Sequence, residues 1–165
     1  MTQKILRTNF IINSLLVFSI FLVDRLSKIY VIYLDKKYLG SEIFSSKFLD
    51  INLIWNDGIA FGLFSFDDKM LYDILTILIL IVIIVLIFMT LGSQGTKKYS
   101  LLTILGGALG NVFDRLFYRA VPDFFDFHAG NYHWFIFNVA DIFITLGVIF
   151  MILLEFFGNK DNVNS

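Results

Sequence analysis

Long apolar runs alternate along this chain with short stretches that mix charge and aromatic residues. Residues 74–91 carry no charge and only Thr76 and Thr90 as polar members. About 18 such residues suffice to cross the hydrocarbon of a bilayer. The run is apolar all round, so it predicts a helix facing lipid widely. Residues 10–33 predict a second spanning helix with a polar turn, Asp24-Arg25-Leu26-Ser27-Lys28, inside it. A charged lead with Lys4 and Arg7 precedes it, as in a signal peptide, but no small-x-small cleavage site follows. Residues 99–117 and 137–157 complete four helices, and an even number of spans puts both chain ends on one side.

The segments between the helices are polar or aromatic. Residues 48–55 alternate in part, which predicts a short strand with one wet face. Asn56-Asp57-Gly58 marks a turn. The apolar patch at 59–64 is too short to span. Trp55, Phe61, Phe64 and Phe66 suit the headgroup level, as would a small sheet lying on the membrane, although an ordinary connecting hairpin fits the spacing. Residues 119–137 read as a connector. Pro122 cannot continue a helix and biases Val121 towards an extended conformation, and the aromatics from Phe124 to Phe137 resemble an interfacial belt. The expected architecture is therefore an all-α membrane protein with four transmembrane helices, near 10–33, 70–91, 99–117 and 137–157. A small β-sheet or cradle is expected between the first two. One membrane domain covers 1–165, with loop segments at 35–69 and 118–136.

Composition agrees. The chain is 58% hydrophobic with a mean hydropathy of +0.78, well above the apolar share of a soluble domain. A net charge of -1 gives no basic face for nucleic acid. With no cysteine there is no disulfide, thiol nucleophile or thiolate metal site. Lysine and arginine are balanced between the two sides, so charge does not orient the chain.

Candidate chemistry concentrates in 106–141. Gly106 and Gly110 form a small-xxx-small pair that permits close helix approach; a phosphate-binding loop would need a preceding strand and a wider motif. Asn111, Asp114 and Arg115 share a helix face, as do Asp24 and Lys28, and Asn138 and Asp141. Ionisable groups at membrane depth are expensive and mark function by default. Asp24 and Lys28 suit an intrahelical ion pair, and Arg115 suits a salt bridge to Asp114 or Asp24 as well as a site role. Two converging carboxylates share one proton and divide acid and base work between them. Asp141 is one candidate, with Asp123 or Asp114 as its partner. His128 and His133 lie among aromatics and suit interfacial side chains better than a catalytic base, and no ligand spacing resembles a zinc site.

Five stretches then point to a family. Asp24-Arg25-Leu26-Ser27-Lys28, Asn56-Asp57-Gly58-Ile59-Ala60-Phe61-Gly62, the 106–115 run GGALGNVFDR, Val121-Pro122-Asp123-Phe124 and Phe137-Asn138-Val139-Ala140-Asp141 occur in that order. In this the chain resembles the bacterial lipoprotein signal peptidases, the signal peptidase II family. The resemblance implies an aspartic endopeptidase of the bacterial inner membrane that uses no metal and no cofactor. Both termini would be cytoplasmic, and the cradle and active site would lie near the outer face. The implied substrate is a diacylglyceryl-modified prolipoprotein, cut before the lipidated cysteine. Cyclic peptides of the globomycin type would inhibit, and membrane lipid would surround the protein. By motif, Asp123 and Asp141 are the catalytic pair and Asp114 supports them. Asn56, Gly58, Asn111, Arg115 and Asn138 line the substrate site, with Asp24 and Lys28 in support. Pro122 departs from the family, where an aliphatic residue is commoner. Two other classes fit parts of the pattern. A small proton-coupled transporter also carries intramembrane acids, but no inverted repeat is visible. A non-catalytic assembly factor would use Gly106 and Gly110 for pairing but leaves the polar cluster idle.

Overall fold

A computed structural model describes residues 3–58 and 69–158. The apolar patch at 59–64 with Phe61, Phe64 and Phe66, and the polar tail from 159 onward, lie outside the described residues. The elements in order are α1 (Gln3–Lys37), β1 (Phe44–Ser45), β2 (Leu49–Asn56), α2 (Lys69–Gly92), α3 (Gly95–Tyr118), β3 (Val121–Ala129), β4 (Tyr132–Phe137) and α4 (Val139–Gly158).

Two helical stretches, Met70–Gly92 and Val139–Phe157, are long and apolar enough to cross a membrane. Their outward side chains, among them Leu78, Val82, Phe88, Ile149 and Phe156, are exposed as lipid-facing residues would be. The other two helices interrupt their apolar runs with charge. At 35 residues and about 1.5 Å per residue, α1 is longer than the roughly 30 Å hydrocarbon layer.

Helix α3 is the centre. The helices α1, α2 and α4 each pack against it, while α1 and α2 scarcely meet. The reason lies in its small residues. A Cβ on Gly110 would stand 2.5 Å from Asp24 Oδ2 on α1, and one on Gly107 would stand 2.5 Å from the Ala140 carbonyl on α4. Gly106, the other half of the predicted small-xxx-small pair, lies against Ile20 of α1. Glycine thus lets two helices approach α3 on adjoining faces, and Ile83, Leu105 and Val112 close the apolar interior behind them.

The sheet corrects the sequence reading. It was expected between the first two helices, with 119–137 as an irregular connector. Instead it is four-stranded and antiparallel in the order β1-β2-β3-β4, so half its strands come from that connector. The fold is helix-rich with a small sheet, not purely α. Arg119 ends α3 in the left-handed region, at φ 59, and turns the chain into β3. A tight turn at Gly130, φ 62, returns it as β4. Pro122 lies before the β4 ladder, which begins at Phe125, and opposes Trp55 of β2. Cα partners across a ladder share a face. The register therefore puts Ile51, Asp123, Phe125, Phe127, Phe135 and Phe137 on one face, and Asp50, Asp126, His128 and His133 on the other.

Candidate active site

Asp141 enters the site through the start of α4. Asn138 immediately precedes the helix, and its Oδ1 accepts from Asp141 N at 3.2 Å. Asp141 Oδ2 accepts in return from Asn138 N at 3.1 Å. This is a reciprocal capping box, with an aspartate where glutamate is usual. The next orphan donor, Ala140 N, goes to Asp24 Oδ1 of α1 at 3.0 Å, so α1 fixes the turn that carries Asp141.

Asp123 comes from β3 and meets the same asparagine. Its Oδ1 accepts from Asn138 Nδ2 at 2.6 Å, and its Oδ2 accepts from Asn56 Nδ2 at 2.8 Å. Asn56 is held in turn, since its Oδ1 accepts from Gly58 N at 2.9 Å. Asn138 thus contacts both carboxylates, one by its side-chain amide and one by its backbone N–H. Burial raises the Asp123 pKa from 3.8 to about 6, and the Asp141 charge adds to the rise against the lowering effect of the two amides. A carboxyl in this state is poised to hold a proton near neutral pH.

Asp114, the other possible partner of Asp141, lies elsewhere. It is fully buried with Asp24 and Lys28. Lys28 Nζ donates to Asp24 Oδ2 at 3.0 Å, Asp114 Oδ2 at 2.7 Å and Asn111 Oδ1 at 2.9 Å, which uses all three of its protons. Arg25 clasps Asp114 with both terminal nitrogens, at 2.5 and 2.7 Å, reaches Asp24 at 3.1 Å and stacks over the Phe113 ring at 4.9 Å. Two acids and two bases make a neutral quartet beside the dyad. Asn111 joins the two groups, since its Nδ2 donates to Asp141 Oδ1 at 2.8 Å.

The arginine that binds Asp114 and Asp24 is therefore Arg25, and the salt bridge entertained for Arg115 does not form. Arg115 Nη2 donates to the Gly58 carbonyl at 2.7 Å, which ties α3 to the turn that positions Asn56. Its Nε and Nη1 are buried with no hydrogen-bond partner. Arg25 was not singled out from sequence. It follows Asp24 directly, off the Asp24–Lys28 face, and only its length carries it to α3. The signal was its presence inside a polar turn at membrane depth.

Neither histidine approaches the dyad. His128 pairs with Asp50 at 3.2 Å and His133 with Asp126 at 2.8 Å, on the sheet face opposite Asp123. Among the described residues, no three histidine or acidic side chains are grouped to hold a metal ion. A cavity of about 390 Å³ opens beside Asp141 and is lined by Phe135, Phe137, Ile142 and Thr145 among others. A larger apolar trough, about 1090 Å³, lies between α1, α2 and α3 and includes neither dyad residue.

A helix-rich fold with a small sheet, lipid-ready helices and an acid pair held by shared amides defines a membrane enzyme. A solved bacterial membrane enzyme shares this fold with a TM-score of 0.73 at 27% identity, over 93% of this chain and 92% of that one. The family model for signal peptidase (SPase) II matches residues 16–157, and the chain belongs to that family. It is 47% identical to a lipoprotein signal peptidase of Pelagibacter ubique over 98% of both chains. It is 38% identical to one of Francisella tularensis subsp. novicida, over 80% of this chain and 86% of that one. The protein is a membrane signal peptidase.

Proposed function

We propose that Asp123 and Asp141 are the catalytic pair of an aspartic endopeptidase that cuts diacylglyceryl-modified prolipoproteins before the lipidated cysteine. The observation that carries this reading is the shared asparagine. Asn138 bonds Asp123 and Asp141 together, whereas Asp114 is neutralised by Arg25 and Lys28.

Asp123, with its raised pKa, carries the shared proton. Asp141 takes a proton from water, and the hydroxyl oxygen bonds to the scissile carbonyl carbon. Asp123 protonates the carbonyl oxygen, giving a neutral gem-diol. Asp141 then passes its proton to the leaving nitrogen as the C–N bond breaks. The diol collapses to the acid, returns one proton to Asp123 and restores the pair. Asn56 and Asn138 hold Asp123, Asn111 orients Asp141, and the free nitrogens of Arg115 with the Gly58 turn receive substrate carbonyls in a setting short of water. Asp24 and Lys28 hold this frame together.

All four helices span the inner membrane of a bacterium, α1 and α3 turning their charges inward on one another. Both termini are cytoplasmic and the dyad sits near the outer face, one membrane domain in all. Globomycin-type cyclic peptides occupy the same site.

The test is incubation of purified protein with a diacylglyceryl-modified precursor. Wild type releases the signal peptide. Asp141→Asn, still eluting as a folded species, loses the roughly 100- to 10,000-fold contribution of a positioned base. Undiminished cleavage by that variant overturns the assignment.

A further inference from the structure

The sheet has one feature that the mechanism does not use. Along β3, Asp123, Phe125 and Phe127 follow at alternate positions and so project from one face. The facing strand β4 adds Phe137 and Phe135, opposite Phe125 and Phe127. The rings form a continuous cluster. Phe127 stacks on Phe137 at 5.5 Å, and Phe125 and Phe135 meet Phe137 at 5.5 and 5.2 Å. Phe127 remains 39% exposed, a large apolar surface left open beside the dyad. The same cluster borders the 390 Å³ cavity that holds Asp141. From Asp123 to Phe127 the strand advances about 13 Å.

Among the described residues of β3 and β4, Asp123 is the one charged side chain on this face, whereas Asp126, His128 and His133, with Asp50 of β2, lie on the reverse side. Beyond Asp123, the phenylalanine rings of this face offer an occupant no charge and no hydrogen bond. A peptide laid there would strand its backbone groups, whereas a hydrocarbon chain has nothing to strand.

We propose that this phenylalanine face seats the acyl chains of the substrate's diacylglyceryl group and so makes cleavage depend on chain length. The inference rests on the proposed substrate. The lipid is attached to the residue flanking the scissile bond, so its chains must leave the dyad over an apolar surface that reaches it. This face starts at Asp123 and ends at the rim of the Asp141 cavity. Lipid tails elsewhere in the bilayer are as apolar as phenylalanine, so seating gains little by water exclusion alone. What it supplies is orientation, and remote contacts used that way appear in kcat as well as KM.

The experiment compares precursors carrying long and short acyl chains, in one detergent, with wild type, Phe127→Ser and Phe127→Leu. Phe127 is exposed, and none of the hydrogen bonds that hold the two aspartates involves it. Wild type should prefer the long-chain precursor by roughly tenfold or more in kcat/KM, the scale of lost apolar contacts in a specificity pocket. Phe127→Ser should flatten that preference while cutting the short-chain precursor at the wild-type rate, and Phe127→Leu should restore much of it. An unchanged preference in Phe127→Ser overturns the acyl seat. Equal loss on both precursors also overturns it, and would mean that the face beds the sheet in the membrane. No cleavage of either precursor by wild type would instead defeat the underlying reading of the substrate.

Discussion

Two pairs of carboxylates lie side by side in this protein and are treated in opposite ways. Asp24 and Asp114 are met by Arg25 and Lys28, so four charges sum to zero inside a buried quartet. Asp123 and Asp141 are met by amides, from Asn56, Asn111 and Asn138, and among the described residues no cation bonds to either. An ion-paired carboxylate holds its charge and does not exchange protons near neutral pH. An amide-held carboxylate has its geometry fixed while its charge stays uncompensated, and two such groups in proximity share a proton. The same residue type thus acts as a rivet in one place and as a reagent in the other.

The comparison breaks most visibly at the quartet. Asp114→Asn leaves Arg25 and Lys28 buried with one acid between them. Removing one partner of a buried ion pair costs about 3–5 kcal/mol, a large share of a typical domain's stability. The variant should unfold at much lower denaturant in micelles, and any surviving folded fraction should still cleave precursor. A stable but inactive Asp114→Asn protein would mean that Asp114, too, is a reagent.

The dyad should show its own dependence on pH. The folded pKa of Asp123 is raised, from 3.8 to about 6. Above pH 6 the folded protein must hold a charge that burial disfavours, and the penalty is fully present there. It is relieved as pH falls from 6 towards 4, because the folded state binds a proton that the unfolded state does not. The shift is worth about 3 kcal/mol. Asp123→Asn has no such charge. Its unfolding free energy relative to wild type should therefore move in the variant's favour by up to about 3 kcal/mol between pH 4 and pH 8. Denaturation curves across that range read the difference directly, and a flat difference would place Asp123 in an ordinary carboxylate environment.

How much of this was legible in the sequence depended on what each element needed. Helix α2 announced itself by an unbroken apolar run, and α1 and α3 by apolar runs broken by a polar turn. The start of α4 was readable too, since Asn138 and Asp141 bracket a capping box before an apolar stretch. The β3–β4 hairpin was not read, because aromatics crowd both of its faces and blur the alternation. The remaining signal was Gly130-Asn131, a two-residue turn between two runs of strand formers. The choice between Asp114 and Asp123 could not be made by spacing. Both precede Asp141, and only the packing of α1 on α3, through Gly106 and Gly110, brings Arg25 and Lys28 onto Asp114. Arg25 itself was hidden by the more regular Asp24–Lys28 spacing.

The finest test concerns the one side chain common to both groups. Asn111 receives a proton of Lys28 on its Oδ1 and gives one from its Nδ2 to Asp141. Lysine can only donate, so it fixes which end of the amide faces it. The amide's donor end is thereby turned to the dyad. If the quartet only stabilises, Lys28→Met and Asn111→Ala should act independently on kcat. If the quartet also orients the dyad, each removes the same alignment, and the double variant should lose little more than either alone. Neighbouring residues in one hydrogen-bond network couple by about 0.5–3 kcal/mol. A hydrogen bond to a charged group is itself worth about 1.5–3 kcal/mol, so Asn111→Ala alone should lower kcat by roughly tenfold or more. Strict additivity in that cycle would separate the two carboxylate pairs completely, leaving Asn111 as a local prop of Asp141 and the quartet as a fastening without influence on the chemistry beside it.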